Sequence, residues 1–132
     1  MSCVFDSGVW ISAFQFGGTP LTALRFAYMP FRLAACNPIF HEIHKTLAGK
    51  FGWTSLRIET AVADYLDNTV LVEFSGKMSG ICRDPKDDML LECAVLAGAD
   101  IVVTGDKDLF TLNSFQGVRI LTQRAFLNLK PL

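Results

Sequence analysis

The sequence predicts an α/β fold: a mostly parallel, five-stranded sheet covered by helices on both faces. Two observations carry that prediction. Short apolar, β-branched runs alternate along the chain with stretches of helical spacing, which is the pattern of repeated βαβ units. Two of those runs, Cys3-Val4-Phe5 and Ile101-Val102-Val103-Thr104, end abruptly in carboxylates, Asp6 and the block Gly105-Asp106-Lys107-Asp108. Parallel strands bring such residues to one edge of a sheet, where open α/β sheets bind their ligands.

Taken in order, the first strand spans residues 2–5, and Val9, Trp10, Ile11 and Phe14 then follow a helical spacing that Gly17-Gly18 breaks. Thr19-Pro20 reads as an N-cap and first-turn proline, opening a helix to Tyr28 that Met29-Pro30 ends. Residues 31–36 form the second strand. Asn37-Pro38 repeats the cap-and-proline signal, and Ile39, Phe40, Ile43 and Leu47 share one face of a helix stopping near Gly49. Thr54 or Ser55 caps the next helix, with Leu56, Ala63 and Leu66 inward, to about Asp67. Residues 70–74 are the third strand, and Gly76 to Gly80 is a loop. Asp84-Pro85-Lys86-Asp87 combines a cap, a proline and an acidic third position, opening a helix over residues 85–97. The fourth strand (100–104), a short helical piece at Leu109-Phe110 and the fifth strand (118–121) follow. Thr122 caps a last helix through Leu129.

At 132 residues the chain is most simply one domain, residues 1–132. Its 51% apolar content includes no run of the roughly 18 residues that would suggest a membrane span. The start, Met1-Ser2-Cys3-Val4-Phe5-Asp6, reads as a strand and not as a signal peptide. Cys3, Cys36, Cys82 and Cys93 form no CxxC pair; three of them sit in apolar company as small core residues, and a cytoplasmic setting is the default. Net charge is −1 and the cations are scattered, which argues against extended duplex binding. A small substrate or a short single strand steered by a few cations stays open.

The acids need separating by role. Asp6 and Asp106 follow strands and belong at one edge. Asp84 is most simply the N-cap and Asp87 its reciprocal partner, which leaves Asp88, one position further round, to point into the site. Asp108 either reaches a metal, holds a water or caps the short helix. Glu42 lies one turn into its helix and looks over the edge where Asp6 ends, while His41 and His44 do not make an HExxH pair. Gathered together, Asp6, Glu42, Asp88 and Asp106 form a hard-oxygen set suited to Mg²⁺ or Mn²⁺, able to clamp a phosphodiester and activate water. Thr104 and Ser7 offer hydroxyls to position an acid or a water. Lys86, Lys107 and Arg83 lie near enough to attract a nucleic-acid backbone. Trp10 and Phe14 read first as core residues, with base stacking as the alternative.

The blocks Val4-Phe5-Asp6-Ser7-Gly8-Val9-Trp10-Ile11-Ser12-Ala13, Asn37-Pro38-Ile39-Phe40-His41-Glu42-Ile43, Arg83-Asp84-Pro85-Lys86-Asp87-Asp88 and Ala99 to Leu109, with the tail Ile120 to Leu127, together resemble the PIN-domain family. More narrowly they resemble the branch described as toxin components of toxin–antitoxin systems. The resemblance implies a three-layer α/β/α sandwich and a Mg²⁺- or Mn²⁺-dependent endoribonuclease. It maps the family's acids onto Asp6, Glu42, Asp88 and Asp106, with Asp108 as an accessory ligand. RNA as substrate, an antitoxin protein as partner and a homodimer are further implications. One departure stands out: the first block usually reads Asp-Thr-Asn, and here it reads Asp6-Ser7-Gly8. Losing the amide predicts weaker metal binding with the acids retained, so a weakened, non-catalytic binding module is the first alternative. A receiver-like or phosphatase-like domain is the second, disfavoured by the lack of a DxDx[TV] start and of a strand-five lysine.

Overall fold

The computed structural model describes residues 1–27, 31–78 and 80–129. Along the chain run β1 (Ser2–Phe5), α1 (Ser7–Phe16), α2 (Gly18–Phe26), β2 (Arg32–Cys36), α3 (Asn37–Phe51), α4 (Ser55–Leu66), β3 (Thr69–Val72), α5 (Pro85–Leu96), β4 (Ile101–Val103), α6 (Lys107–Phe110), β5 (Ser114–Phe115), β6 (Val118–Leu121) and α7 (Gln123–Leu127). The strands form one sheet in the order β3-β2-β1-β4-β6-β5, parallel except for the β5–β6 pair. Successive strand residues face opposite sides of a sheet. Cys3, Val4 and Phe5 are all fully buried, as are Ile101, Val102 and Val103, so helices cover both faces of the centre. The result is a three-layer α/β/α sandwich.

The strand order explains where a site forms. From β1 the chain builds outward through β2 and β3 in one direction, and β4 then returns to β1's other side. Helices leaving β1 and β4 therefore diverge, opening a crevice at the carboxyl ends of these two strands. Register sets its floor: Phe5 pairs with Val103, and the Asp6 N–H donates to the Val103 carbonyl at 2.9 Å. Asp6 and Thr104 thus leave the sheet side by side.

Aromatic packing fixes the helices around that crevice. Trp10 packs against Phe14, Phe40 and Tyr65, with ring centroids 5.4–5.9 Å apart, which ties α1 to α3 and α4. On another part of the core, Phe126 meets Phe5 edge-on at 5.4 Å and Phe26 at 5.5 Å, holding α7 and α2 to the sheet.

Several sequence expectations are corrected. The sheet has six strands, because β5 pairs with β6 through a tight turn in which Gln116 and Gly117 both have positive φ (47° and 83°). That backbone suits a two-residue hairpin, but glutamine in place of asparagine or aspartate, and a strand of two residues, hid the signal. Helix α2 starts at Gly18, capped by the left-handed Gly17, so Thr19 lies inside it; Tyr28, Met29 and Pro30 fall outside the described residues. Helix α3 begins at Asn37 itself, with Cys36 at the cap, and passes through Gly49 to Phe51. Gly52, left-handed at φ 70°, ends it, and the Trp53 N–H closes onto the Leu47 carbonyl at 3.0 Å. In α4 the buried residues are Ile58 and Val62, and Leu56 and Leu66 are exposed. That sequence carries two apolar stripes, and packing of Tyr65 on Trp10 and Phe14 selects the other one. β3 is shorter than expected and forms a sheet edge, with Val70 and Leu71 exposed.

Candidate active site at the sheet switch point

Asp6 ends β1 and caps α1. Its Oδ1 accepts from the Gly8 N–H at 3.0 Å and from the Ser7 hydroxyl at 3.4 Å. Its Oδ2 accepts from the Thr104 hydroxyl at 2.7 Å, a short bond of the kind made to an ionised acceptor. The same Thr104 hydroxyl, fully buried, accepts from the Asp106 backbone N–H at 3.0 Å. One side chain therefore fixes both strand ends relative to each other. Asp106 in turn caps α6, with Oδ1 accepting from the Asp108 N–H at 2.9 Å. Each strand-end acid spends one oxygen on its own helix cap.

These residues open into a cleft of about 400 Å³ that Asp6, Glu42, Asp84, Lys86, Asp87 and Asp106 line together. Asp84 caps α5 by accepting from the Lys86 N–H at 2.9 Å. Asp87, one turn further on, is only 4% exposed, and its Oδ2 is buried with no hydrogen-bond partner. Burial, a hydrogen bond to Asp106 and the charges of Asp106, Asp84 and Asp6 push the Asp87 carboxyl up to about 7. Across the cleft, the Lys86 ammonium donates to Glu42 Oε1 at 2.8 Å. That bond holds the Glu42 carboxyl below its ordinary range and raises Lys86.

Two expected site residues lie elsewhere. Asp88 is absent from the cleft: its Oδ2 accepts from the Gly80 N–H at 3.0 Å and its Oδ1 from the Cys82 N–H at 2.7 Å. Adjacent residues on a helix point about 100° apart, so one of Asp87 and Asp88 faces the acids and the other faces the incoming loop. The loop's unpaired N–H groups decide which. Glu92, one turn below Asp88, does the same for residues 75–78, accepting from the N–H groups of Ser75, Gly76 and Met78 at 2.8–2.9 Å. Burial opposes its charge, but these donors outweigh burial and hold its carboxyl below the ordinary value. Asp108 also stays outside the cleft, lining a separate depression of about 170 Å³ with Arg83 and Thr111. Asp84 and Asp87, read from the sequence as cap partners, also line the cleft. Their three-residue spacing already placed them on one helix face. No reciprocal Asp87 cap bond forms.

Trp10 is fully buried and Phe14 packs beneath it, so neither reaches the cleft. Of the three cations expected nearby, Lys86 lines the cleft, while Arg83 and Lys107 do not; Lys50 does and was not singled out.

The donor set fits a hard divalent cation. Its oxygens all come from carboxylates, and the buried, unpartnered Asp87 Oδ2 and the raised Asp87 carboxyl mark a place where positive charge is lacking. Among the described residues no group of three or more His, Cys, Asp or Glu side chains stands close enough together to hold a metal ion as placed. Glu42 is paired with Lys86, and the carboxyl of Asp87 is raised by its burial and by neighbouring Asp106.

Residues 2–108 match the sequence profile of the PIN domain. The chain belongs to the PIN domain family. Among solved structures it is similar to a chain of VapBC2 from Rickettsia felis bound to a DNA fragment from their promoter. The TM-score is 0.64 at 12% identity, covering 92% of this chain and 98% of that one. A chain of a toxin–antitoxin complex from Klebsiella pneumoniae gives a TM-score of 0.59 at 18% identity, covering 88% and 94%. A comparison with curated proteins gives no match. In this PIN domain the unusual Gly8 is not forced by crowding: a Cβ built there would meet Asp6 Oδ1 at 3.7 Å, an ordinary contact. Its backbone N–H, which any residue but proline supplies, is what holds Asp6.

Proposed function

We propose that this PIN domain is a metal-dependent endoribonuclease that hydrolyses RNA phosphodiester bonds as the toxin of a toxin–antitoxin pair. The observation that carries the reading is the acid cleft at the β1–β4 switch point, where buried Thr104 bridges Asp6 and Asp106 and the buried Asp87 carboxyl lines the same cleft. Asp6, Asp87 and Asp106 would hold Mg²⁺ or Mn²⁺, with Glu42 and Asp84 placed to take water. When bound, such an ion neutralises charge growing on the phosphoryl oxygens and makes a bound water more acidic. Thr104 keeps Asp6 Oδ2 oriented. Asp87, whose buried Oδ2 has no hydrogen-bond partner, would hold such an ion as the ionised carboxylate. Glu42, released from Lys86, accepts a hydrogen bond from the attacking water and takes up its proton at Oε1. Lys86, freed in turn, places its ammonium against the phosphate.

The two structural relatives are parts of a VapBC2 complex and a toxin–antitoxin complex, which supports an antitoxin as this chain's partner; a homodimer is the working form that the family resemblance suggests. The reading places the pair in the cytoplasm; no described helix is long and apolar enough to cross a membrane. The test is cleavage of a fluorogenic RNA during Mn²⁺ titration. Wild type cuts and Asp6→Asn and Asp106→Asn do not, with folding intact by circular dichroism. Equal cleavage in excess EDTA would refute the metal dependence. A weakened binding module, the reading that Gly8 favours, predicts wild-type cleavage no higher than that of the two variants.

A further inference from the structure

The far end of the acid cleft is built from different chemistry. Phe16, the last residue of α1, and Lys50 and Phe51, the last two of α3, line the same cleft as Asp6 and Asp106. Of the chain's 11 phenylalanines, Phe16 alone is exposed, at 72%. Its ring stands perpendicular to that of half-buried Phe51, with centroids 5.9 Å apart, and the Lys50 ammonium lies 5.5 Å from the Phe51 ring. The arrangement is held from below. Trp53 Nε1 donates to Gln15 Oε1 at 2.8 Å, which locks the carboxyl end of α1 to the chain just after α3. Gly17, at φ 69°, stops α1 immediately after Phe16.

We infer that Phe16, supported by Phe51 and flanked by Lys50, is a stacking platform for an unpaired nucleobase of the strand being cut. This inference rests on the nuclease reading and names the residue at which that site would meet a base beside the cleaved bond. A flat apolar ring open to solvent offers its face to any base, and the neighbouring ammonium complements the phosphate that the base carries with it. Bases inside a duplex already have both faces stacked, whereas an unpaired base must find another surface. The distance also fits. Ten residues of helix separate Asp6 from Phe16, about 15 Å at 1.5 Å per residue. The stacked base therefore belongs to a nucleotide flanking the scissile phosphate, and its binding fixes how the strand enters the cleft. Phe16 is in this sense a positioning residue that meets substrate away from the reacting atoms.

The test uses the full chain carrying Asp106→Asn to prevent cleavage, in Mn²⁺, with a fluorescein-labelled eight-nucleotide single-stranded RNA followed by anisotropy. Phe16→Ala should raise Kd about tenfold, the size expected for one base stack, and Phe16→Trp should restore it. An eight-base-pair RNA duplex should bind no better than the single strand and respond less than twofold to Phe16→Ala. A strand made abasic in turn at each position should show one position where the loss matches that of Phe16→Ala and does not add to it. If Phe16→Ala leaves single-strand Kd unchanged while the parent binds, the stacking inference is overturned and Phe16 serves a protein contact instead. If wild-type protein in Mn²⁺ neither binds nor cuts any of these RNAs, the nuclease reading fails and takes the inference with it.

Discussion

Thr104→Val is the substitution whose consequences the structure defines most closely. The change keeps shape and volume but removes the hydroxyl that donates to Asp6 Oδ2 at 2.7 Å and accepts from the Asp106 N–H at 3.0 Å. Asp6 is only half-buried, so water replaces part of its loss, and the low end of the range for a bond to a charged group applies, about 1.5 kcal/mol. The Asp106 N–H has no other acceptor among the described residues, and leaving it unpaired in a partly buried place costs about another 1.5 kcal/mol. Backbone bonds are untouched, since the Thr104 N–H still donates to the Leu121 carbonyl. The expected destabilisation is therefore about 3 kcal/mol, or a fall of about 10 °C in Tm for a chain of this size. Thr104→Ser keeps the hydroxyl and should lose only about 1 kcal/mol, for the missing methyl. Urea unfolding followed by circular dichroism reads the difference, and calorimetry should show Mn²⁺ affinity lower by at least tenfold in Thr104→Val, because Asp6 is no longer oriented. Stability within about 0.5 kcal/mol of wild type, or Ser no better than Val, would refute the bridging role.

Three further perturbations follow from the same geometry. The Asp87 carboxyl sits at about 7 in the fold against an ordinary 3.8, so as pH rises across that window the unfolded chain ionises first and metal-free stability falls. A cation must displace that proton; Mn²⁺ affinity should rise from pH 6 to pH 8 with proton release below 7, and calorimetry in buffers of different ionisation heat should find no such release in Asp87→Asn. Asp88→Asn should cost about 1–3 kcal/mol, because an amide cannot accept from both the Gly80 and Cys82 N–H groups. Its Mn²⁺ affinity should stay within about twofold of wild type, and a lost affinity with unchanged stability would put Asp88 back in the site. Gly8→Asn fills ordinary space beside Asp6 and replaces a glycine inside α1, so it should gain a few tenths of a kcal/mol in stability and tighten Mn²⁺; weaker binding would show that the amide has no place here.

What the sequence made legible was what depends on local order. That Asp6 and Asp106 share one cleft was readable because strand ends at a switch point have one edge to go to, whereas Glu42, an acid inside a helix, was marked mainly by the family resemblance. The choice between Asp87 and Asp88 was not readable, since it turns on where the N–H groups of Gly80 and Cys82 arrive, and no local pattern encodes that. Phe16 was passed over for a similar reason. Trp10 and Phe14 share its helix, and the ring cluster with Phe40 and Tyr65 sets the rotation that buries them and leaves Phe16 outside. The inward face of α4 was misassigned through the same cluster. Lys86 was legible as a nearby cation but not as the partner of Glu42, a residue 44 positions away.

The most direct measurement is the anomalous difference density of a crystal soaked in Mn²⁺. A peak is expected in the cleft, touched by carboxylate oxygens of Asp6, Asp87 and Asp106, with the Lys86–Glu42 pair opened. A peak bound by Asp88 or Asp108, or a cleft that stays empty at millimolar Mn²⁺ and pH 8, would contradict that expectation.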